Sequence, residues 1–176
     1  MDTPTATGQN PADPPEGMFR ELLWVHAHLR QDLQTVRRLA DAAHDGLSPE
    51  TILAEIRDLQ TNSPLWRLKF GCIRYCRFVN LHHQLEDTAL FPTIRSQDQS
   101  LGTALDRLQA DHRAVHAITD RIAAIADRVP GDASGVSRFE LVAALGELEE
   151  HLLGHLTFEE ESLGPLLSSW DAWPME

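Results

Sequence analysis

The chain has 176 residues, 42% apolar and 24% charged, with a net charge of -12 and an isoelectric point near 5.1. That length fits one domain around one core, and the acidic balance excludes the basic surface that nucleic acid or an anionic membrane would select. Nine histidines are the compositional oddity, because histidine is neither a strong helix former nor a routine core filler.

Residues 1–17 are rich in Pro, Thr, Gly and Asp and read as a disordered arm. They show no basic stretch leading into an apolar one, and no segment of the chain approaches the ~20 apolar residues of a membrane span. Cys72 and Cys76 fall four apart in one helical stretch, which does not suggest a secreted disulfide framework. A cytoplasmic, monomeric protein with no membrane or nucleic-acid partner is expected.

From Met18, the residues Phe19, Leu22, His26, Leu29, Leu33, Val36 and Ala40 recur at threes and fours and predict a first helix ending near Asp45-Gly46. Ser48-Pro49 opens a short accessory helix over 49–60. A second long helix starts after Ser63-Pro64 and carries Leu68, Cys72, Tyr75, Val79, His82, Glu86 and Ala89 in one stripe, closing at Pro92 and the polar run 96–98. The third, from about Ser100, shows Leu101, Leu105, Leu108, His112, Val115, Ile122 and Val129, with Pro130-Gly131 ending it. The fourth, from about Ser137, shows Leu141, Leu145, Leu148, Leu152, His155, Glu159 and Leu166, and residues 170–176 form a tail. No segment alternates with period two. Four amphipathic helices, each with only a stripe to bury, predict an all-α, antiparallel up-down four-helix bundle over 18–169, with the accessory helix between its first two members.

A histidine interrupts all four stripes, and the second and fourth also carry a glutamate. His82 and Glu86, like His155 and Glu159, stand four apart and so share a helix face. A carboxylate on a core-facing stripe needs a compensating charge, and neither Lys nor Arg lies on the stripes to supply it. The pattern His-x-x-x-Glu-x5-Pro occurs twice, at His82, Glu86, Pro92 and at His155, Glu159, Pro165, with a constant offset of 73. Leu22, His26 and Leu29 repeat as Leu108, His112 and Val115 at an offset of 86, so the chain reads as two related helix pairs. His26, His82, Glu86, His112, His155 and Glu159 are therefore candidate ligands. Four imidazoles and two carboxylates suit two iron ions, with manganese or zinc also compatible. The H-E-x-x-H of zinc proteases is absent.

The segments VHAHLRQDL, CRFVNLHHQLEDTALFP, ADHRAVH and HLTFEEESLGPLL make residues 19–168 resemble the hemerythrin-like proteins, also called HHE cation-binding domains. The resemblance implies a four-helix bundle around an oxo- or hydroxo-bridged di-iron centre, bridged by the two helix-borne carboxylates. It implies a small-molecule ligand: nitric oxide or peroxide reduced by the centre, or dioxygen bound reversibly or sensed. It also raises further ligand candidates, because oxygen-carrying hemerythrins use two histidines on the third helix, as His112 and His116 would, and place the fourth helix's carboxylate five residues after its histidine, which would select Glu160. The register of Pro165 favours Glu159. Tyr75, two turns before His82, is a candidate phenolate ligand or hydrogen-bond donor, against the plainer role of a core aromatic. His83 borders the stripe and could orient a ligand, against the boundary position expected for it. His28 and His44 are expected to be structural or solvated, and His151, one turn before His155, is a weaker second candidate on the fourth helix.

Overall fold

A computed structural model describes residues 17–45 and 64–171. The helices are α1 (Met18–Asp45), α2 (Pro64–Leu85), α3 (Phe91–Gln97), α4 (Gly102–Arg128) and α5 (Val136–Leu167). A π-helical turn, Glu86–Leu90, joins α2 to α3, and 3-10 turns cover Gln99–Leu101 and Val129–Gly131. No strand occurs among the described residues. The expected accessory helix at 49–60, nearly all of the 1–17 arm and most of the tail lie outside the described residues.

α2 with its continuation α3, together with α1, α4 and α5, forms a four-helix bundle in which α1 packs on α2, α2 on α4, α4 on α5, and α5 back on α1. Cross-helix pairs run in opposite order along each neighbour, which makes the helices antiparallel. On α1 and α5, Arg30 meets Glu160 and Arg37 meets Glu149; on α4 and α5, Arg121 meets Glu147 and Arg128 meets Glu140. The Met18 amide donates to the Trp170 carbonyl at 3.2 Å, tying the start of α1 to the end of α5.

Local chemistry sets the boundaries. Asp132 accepts from the Ser134 amide at 2.9 Å and the Ser137 amide at 2.6 Å, satisfying donors that the first turn of α5 leaves free. The Ser134 hydroxyl, which donates to the same carboxylate, and then these amides hold its carboxyl well below the usual range. Gly135, at φ 81°, makes the left-handed step into α5, which begins at Val136, one residue earlier than expected. The second helix departs from the straight rod expected up to Pro92. The Phe91 amide bonds to the Glu86 carbonyl, five residues back, and the widened turn accommodates the ring of Pro92, which would clash with the carbonyl four residues earlier in a regular helix.

The core falls into two apolar blocks. One holds Leu29, Leu33, Leu68, Val79, Val115, Ile122, Leu148 and Leu152 among others. The other holds Met18, Leu22, Leu90, Phe91, Ile94, Leu105, Leu108, Leu163 and Leu167, with Trp170 packed on it. Where α1 and α5 cross, Gly164 lets them approach: a Cβ there would stand 2.9 Å from the Phe19 ring. Cys72 and Cys76 are buried free thiols, and burial pushes both up to about 12. No described helix is long and apolar enough to cross a membrane.

Candidate metal centre

The two apolar blocks are separated by a layer of buried histidine and glutamate. Each stripe delivers its members between apolar neighbours: His26 between Leu22 and Leu29, His82 and Glu86 between Val79 and Leu90, His112 between Leu108 and Val115, and His155 and Glu159 between Leu152 and Leu163. Of the six residues singled out in the sequence, His82 is the most exposed at 8%, and His26 and Glu159 are at 0%. The rigid helices on every side hold the side chains in place.

Two groups of potential ligand atoms form, each within 4.8 Å: His26, His82, Glu86 and Glu159 in one, and His83, Glu86, His112 and His155 in the other. Glu86 belongs to both. Its two oxygens lie 3.2 Å from His82 Nε2 and 3.5 Å from His112 Nε2. Glu159 Oε2 lies 3.4 Å from His26 Nε2 and 3.6 Å from His155 Nε2. Both carboxylates therefore face histidines of two helices, yet none of their four oxygens has a hydrogen-bond partner.

The same orphaned state extends to both ring nitrogens of His83 and His155 and to Nε2 of His112. An unpaired buried polar group costs about 1–3 kcal/mol, so a layer of such groups is sustained by something other than protein hydrogen bonds. A cation would satisfy carboxylate oxygens and one nitrogen of each ring together. Burial pushes His82 down to about 3 and His155 to about 4 against the pull of Glu159, and it lowers His83 and His112 as well. The imidazoles are thus neutral at ordinary pH, the state in which they ligate metals. Burial, then the charge of Glu159, raises Glu86 well above the usual carboxylate range; Glu159 is buried too, but the approach of His26 holds it down. Two buried carboxylates side by side resist joint ionisation unless a positive ion lies between them.

Around this layer, acidic side chains take the outer nitrogens. His26 Nδ1 donates to Glu160 at 2.8 Å, and Arg30 fixes the same oxygen at 2.7 Å. His112 Nδ1 donates to Asp87 at 3.0 Å. These bonds set the tautomer and turn Nε2 inward. Glu160 therefore stands behind His26, outside both groups. His116 also lies outside: its side chain is 59% exposed and pairs with Asp120 on the surface of α4. Tyr75 is buried, but its hydroxyl donates to the Leu29 carbonyl at 3.2 Å and not toward the centre. His28 donates to the Trp24 carbonyl, and His44 and His151 are exposed.

His83 is the residue that sequence reasoning misplaced, since it is 3% exposed and part of the second group. The signal was present: Glu86 has a histidine both four and three residues before it, and both positions neighbour it on a helix. Asp87 was overlooked altogether. An open cleft of about 680 Å³ between α2 and α4 has His83, His112 and Asp87 in its wall.

Bundle and site together define a helical cation-binding domain. Residues 17–167 match the family model described as hemerythrin HHE cation binding domain, and the chain belongs to that family. No curated protein and no solved structure matches it significantly.

Proposed function

We propose that the layer holds two iron ions, with His26, His82, Glu86 and Glu159 serving one position and His112, His155 and the shared Glu86 the other, and that the loaded protein reduces nitric oxide or peroxide. The observation carrying this reading is the pair of ligand groups that converge on Glu86. The donors are nitrogen and oxygen without thiolate, a set that suits iron and accepts manganese or zinc. Iron held there would supply the electron-transfer and Lewis-acid chemistry. The first position would then have four protein residues and the second three, which would leave a bound ion room for a small exogenous molecule.

The chain's own side chains hold and shield the metals. Glu160 and Asp87 orient His26 and His112, while the apolar blocks above and below exclude bulk water. The buried free thiols of Cys72 and Cys76 suit a reducing, cytoplasmic setting.

Protein purified without chelator, or loaded anaerobically with ferrous iron, is expected to hold near two equivalents of iron, and His82→Ala to lose metal. The reduced protein should consume peroxide or nitric oxide in single-turnover mixing. A stable, reversible oxy spectrum with no consumption of either would assign the centre to dioxygen binding or sensing. Absence of bound metal after loading would refute the reading as a whole.

A further inference from the structure

We propose that His83 is a ligand of the second metal position, so that α2 serves both positions: His82 one, His83 the other, with Glu86 between them. This rests on the two-metal reading above and adds a ligand to it. At about 100° per residue, Glu86 projects from α2 between His82 and His83, some 40° from the first and 60° from the second. A carboxylate so placed can offer one oxygen to each side, and it is the residue common to both ligand groups.

The surroundings of His83 fit a ligand better than a core filler. Its ring stacks on His112, with centroids 4.0 Å apart and planes 8° apart, so that the two share an ion once one of them turns out of the stack, and it meets the His155 ring edge-on at 4.9 Å. Neither nitrogen has a hydrogen-bond partner. A neutral imidazole carries one donor and one acceptor, and leaving both unmet in the interior is unfavourable where an apolar side chain would pack equally well. The internal repeat makes the same point. The position matching His83 at the offset of 73 is Leu156, which is fully buried in the apolar core. The α5 copy thus has leucine where the α2 copy has histidine.

His83 also resolves what His116 leaves undone. A third imidazole from α4 would have to come from His116, one turn beyond His112, but that side chain points to solvent. His83 supplies the third imidazole from the neighbouring helix. The two positions then differ: His83, His112, His155 and Glu86 make a nitrogen-rich one, and His26, His82, Glu86 and Glu159 an evenly mixed one. Stepwise metal loading follows, since ions rank such donor sets differently.

The test compares wild type, His83→Ala, His83→Gln and His116→Ala, loaded anaerobically with ferrous iron, desalted and assayed for metal by mass spectrometry. Far-UV circular dichroism of each metal-free protein monitors folding. Wild type and His116→Ala should retain about two equivalents and the His83 variants about one, with a changed visible spectrum after oxidation. Added imidazole should restore the second equivalent to His83→Ala, a rescue that a packing role would not produce. Folded His83 variants that keep two equivalents and an unchanged spectrum would overturn the assignment, as would loss of metal that imidazole does not restore. Wild type holding fewer than two equivalents would instead defeat the two-metal reading itself.

Discussion

Replacing Glu86 with methionine should stabilise the metal-free protein. Glu86 is 3% exposed, and both of its oxygens lack a hydrogen-bond partner. Removing such a group relieves about 1–3 kcal/mol, and methionine keeps the length, the flexibility and the helix propensity of the side chain. For a domain of this size each kcal/mol moves Tm by about 2–4 °C, so metal-free Glu86→Met should melt roughly 2–12 °C above metal-free wild type. With metal the order should reverse. Ions that bind only the folded state add about 4 kcal/mol each at a thousandfold excess over Kd, and the variant, lacking the shared ligand, forgoes most of that gain. Thermal melts followed by circular dichroism, in chelator and in excess ferrous iron under anaerobic conditions, measure both differences. If metal-free Glu86→Met melted below metal-free wild type, the carboxylate would be satisfied within the protein and the orphaned-ligand reasoning would fail.

Glu160→Gln weakens the clamp on His26 Nδ1 while leaving every inward donor in place, so metal affinity should fall about 10–100-fold with two equivalents still bound at saturation; competition with a chelator reads the change. Tyr75→Phe removes the bond to the Leu29 carbonyl and should cost about 0.5–1.5 kcal/mol in denaturant melts with the visible spectrum of the iron form unchanged; a shifted spectrum would bring the phenol back to the metal. His82 and His155, pushed down to about 3 and about 4 from the ordinary 6.5, stay neutral in the folded metal-free protein below pH 6.5 while the unfolded chain takes up protons. Metal-free stability should therefore fall as pH drops from 6.5 toward 4 and gain nothing from these groups above 6.5. Glu86, raised by burial, titrates in the opposite sense, so the measurement belongs on Glu86→Met, and a flat profile there would contradict the buried neutral histidines.

Most of the bundle was legible because each helix writes its buried stripe into the sequence at helical spacing, and the ends carry Pro or Gly signals. His26, His82, His112 and His155 were legible for the same reason, each being the polar residue inside an apolar run. What escaped depended on neighbours that no single helix specifies. Whether His83 faces a ligand group or a boundary is decided by how α2 rotates against α4 and α5, and a boundary position on one helical wheel becomes interior when two other helices close over it. Whether His116 reaches inward depends equally on the rotation of α4. The π turn was invisible because Pro92, which follows it, also reads as a helix end. Its effect can be followed in the burial pattern: beyond Glu86 a straight helix would continue the stripe through Leu90 and Thr93, but the structure buries Phe91 and Ile94 beside Leu90. The extra residue in the turn re-phases the stripe, so Glu86 faces the centre while the residues after it still face the core.

The internal repeat reaches further than the inward ligands. Asp87 and Glu160 are also separated by the offset of 73, as His26 and His112 are by 86, and the two carboxylates hold those two histidines, Asp87 on His112 and Glu160 on His26. Each helix pair therefore supplies the carboxylate that orients the histidine of the other pair, a reciprocal arrangement that an approximate two-fold axis through the layer produces. Against that symmetry two departures stand out, and both fall on α2: His83 in place of leucine, and the π turn in front of Pro92 where α5 runs through Pro165 as regular helix. Symmetry alone would leave the two ligand groups with equal sets of donors. A third imidazole at one of them, as proposed for His83, would make the pair unequal, so that metal bound at the two would be held with different affinity.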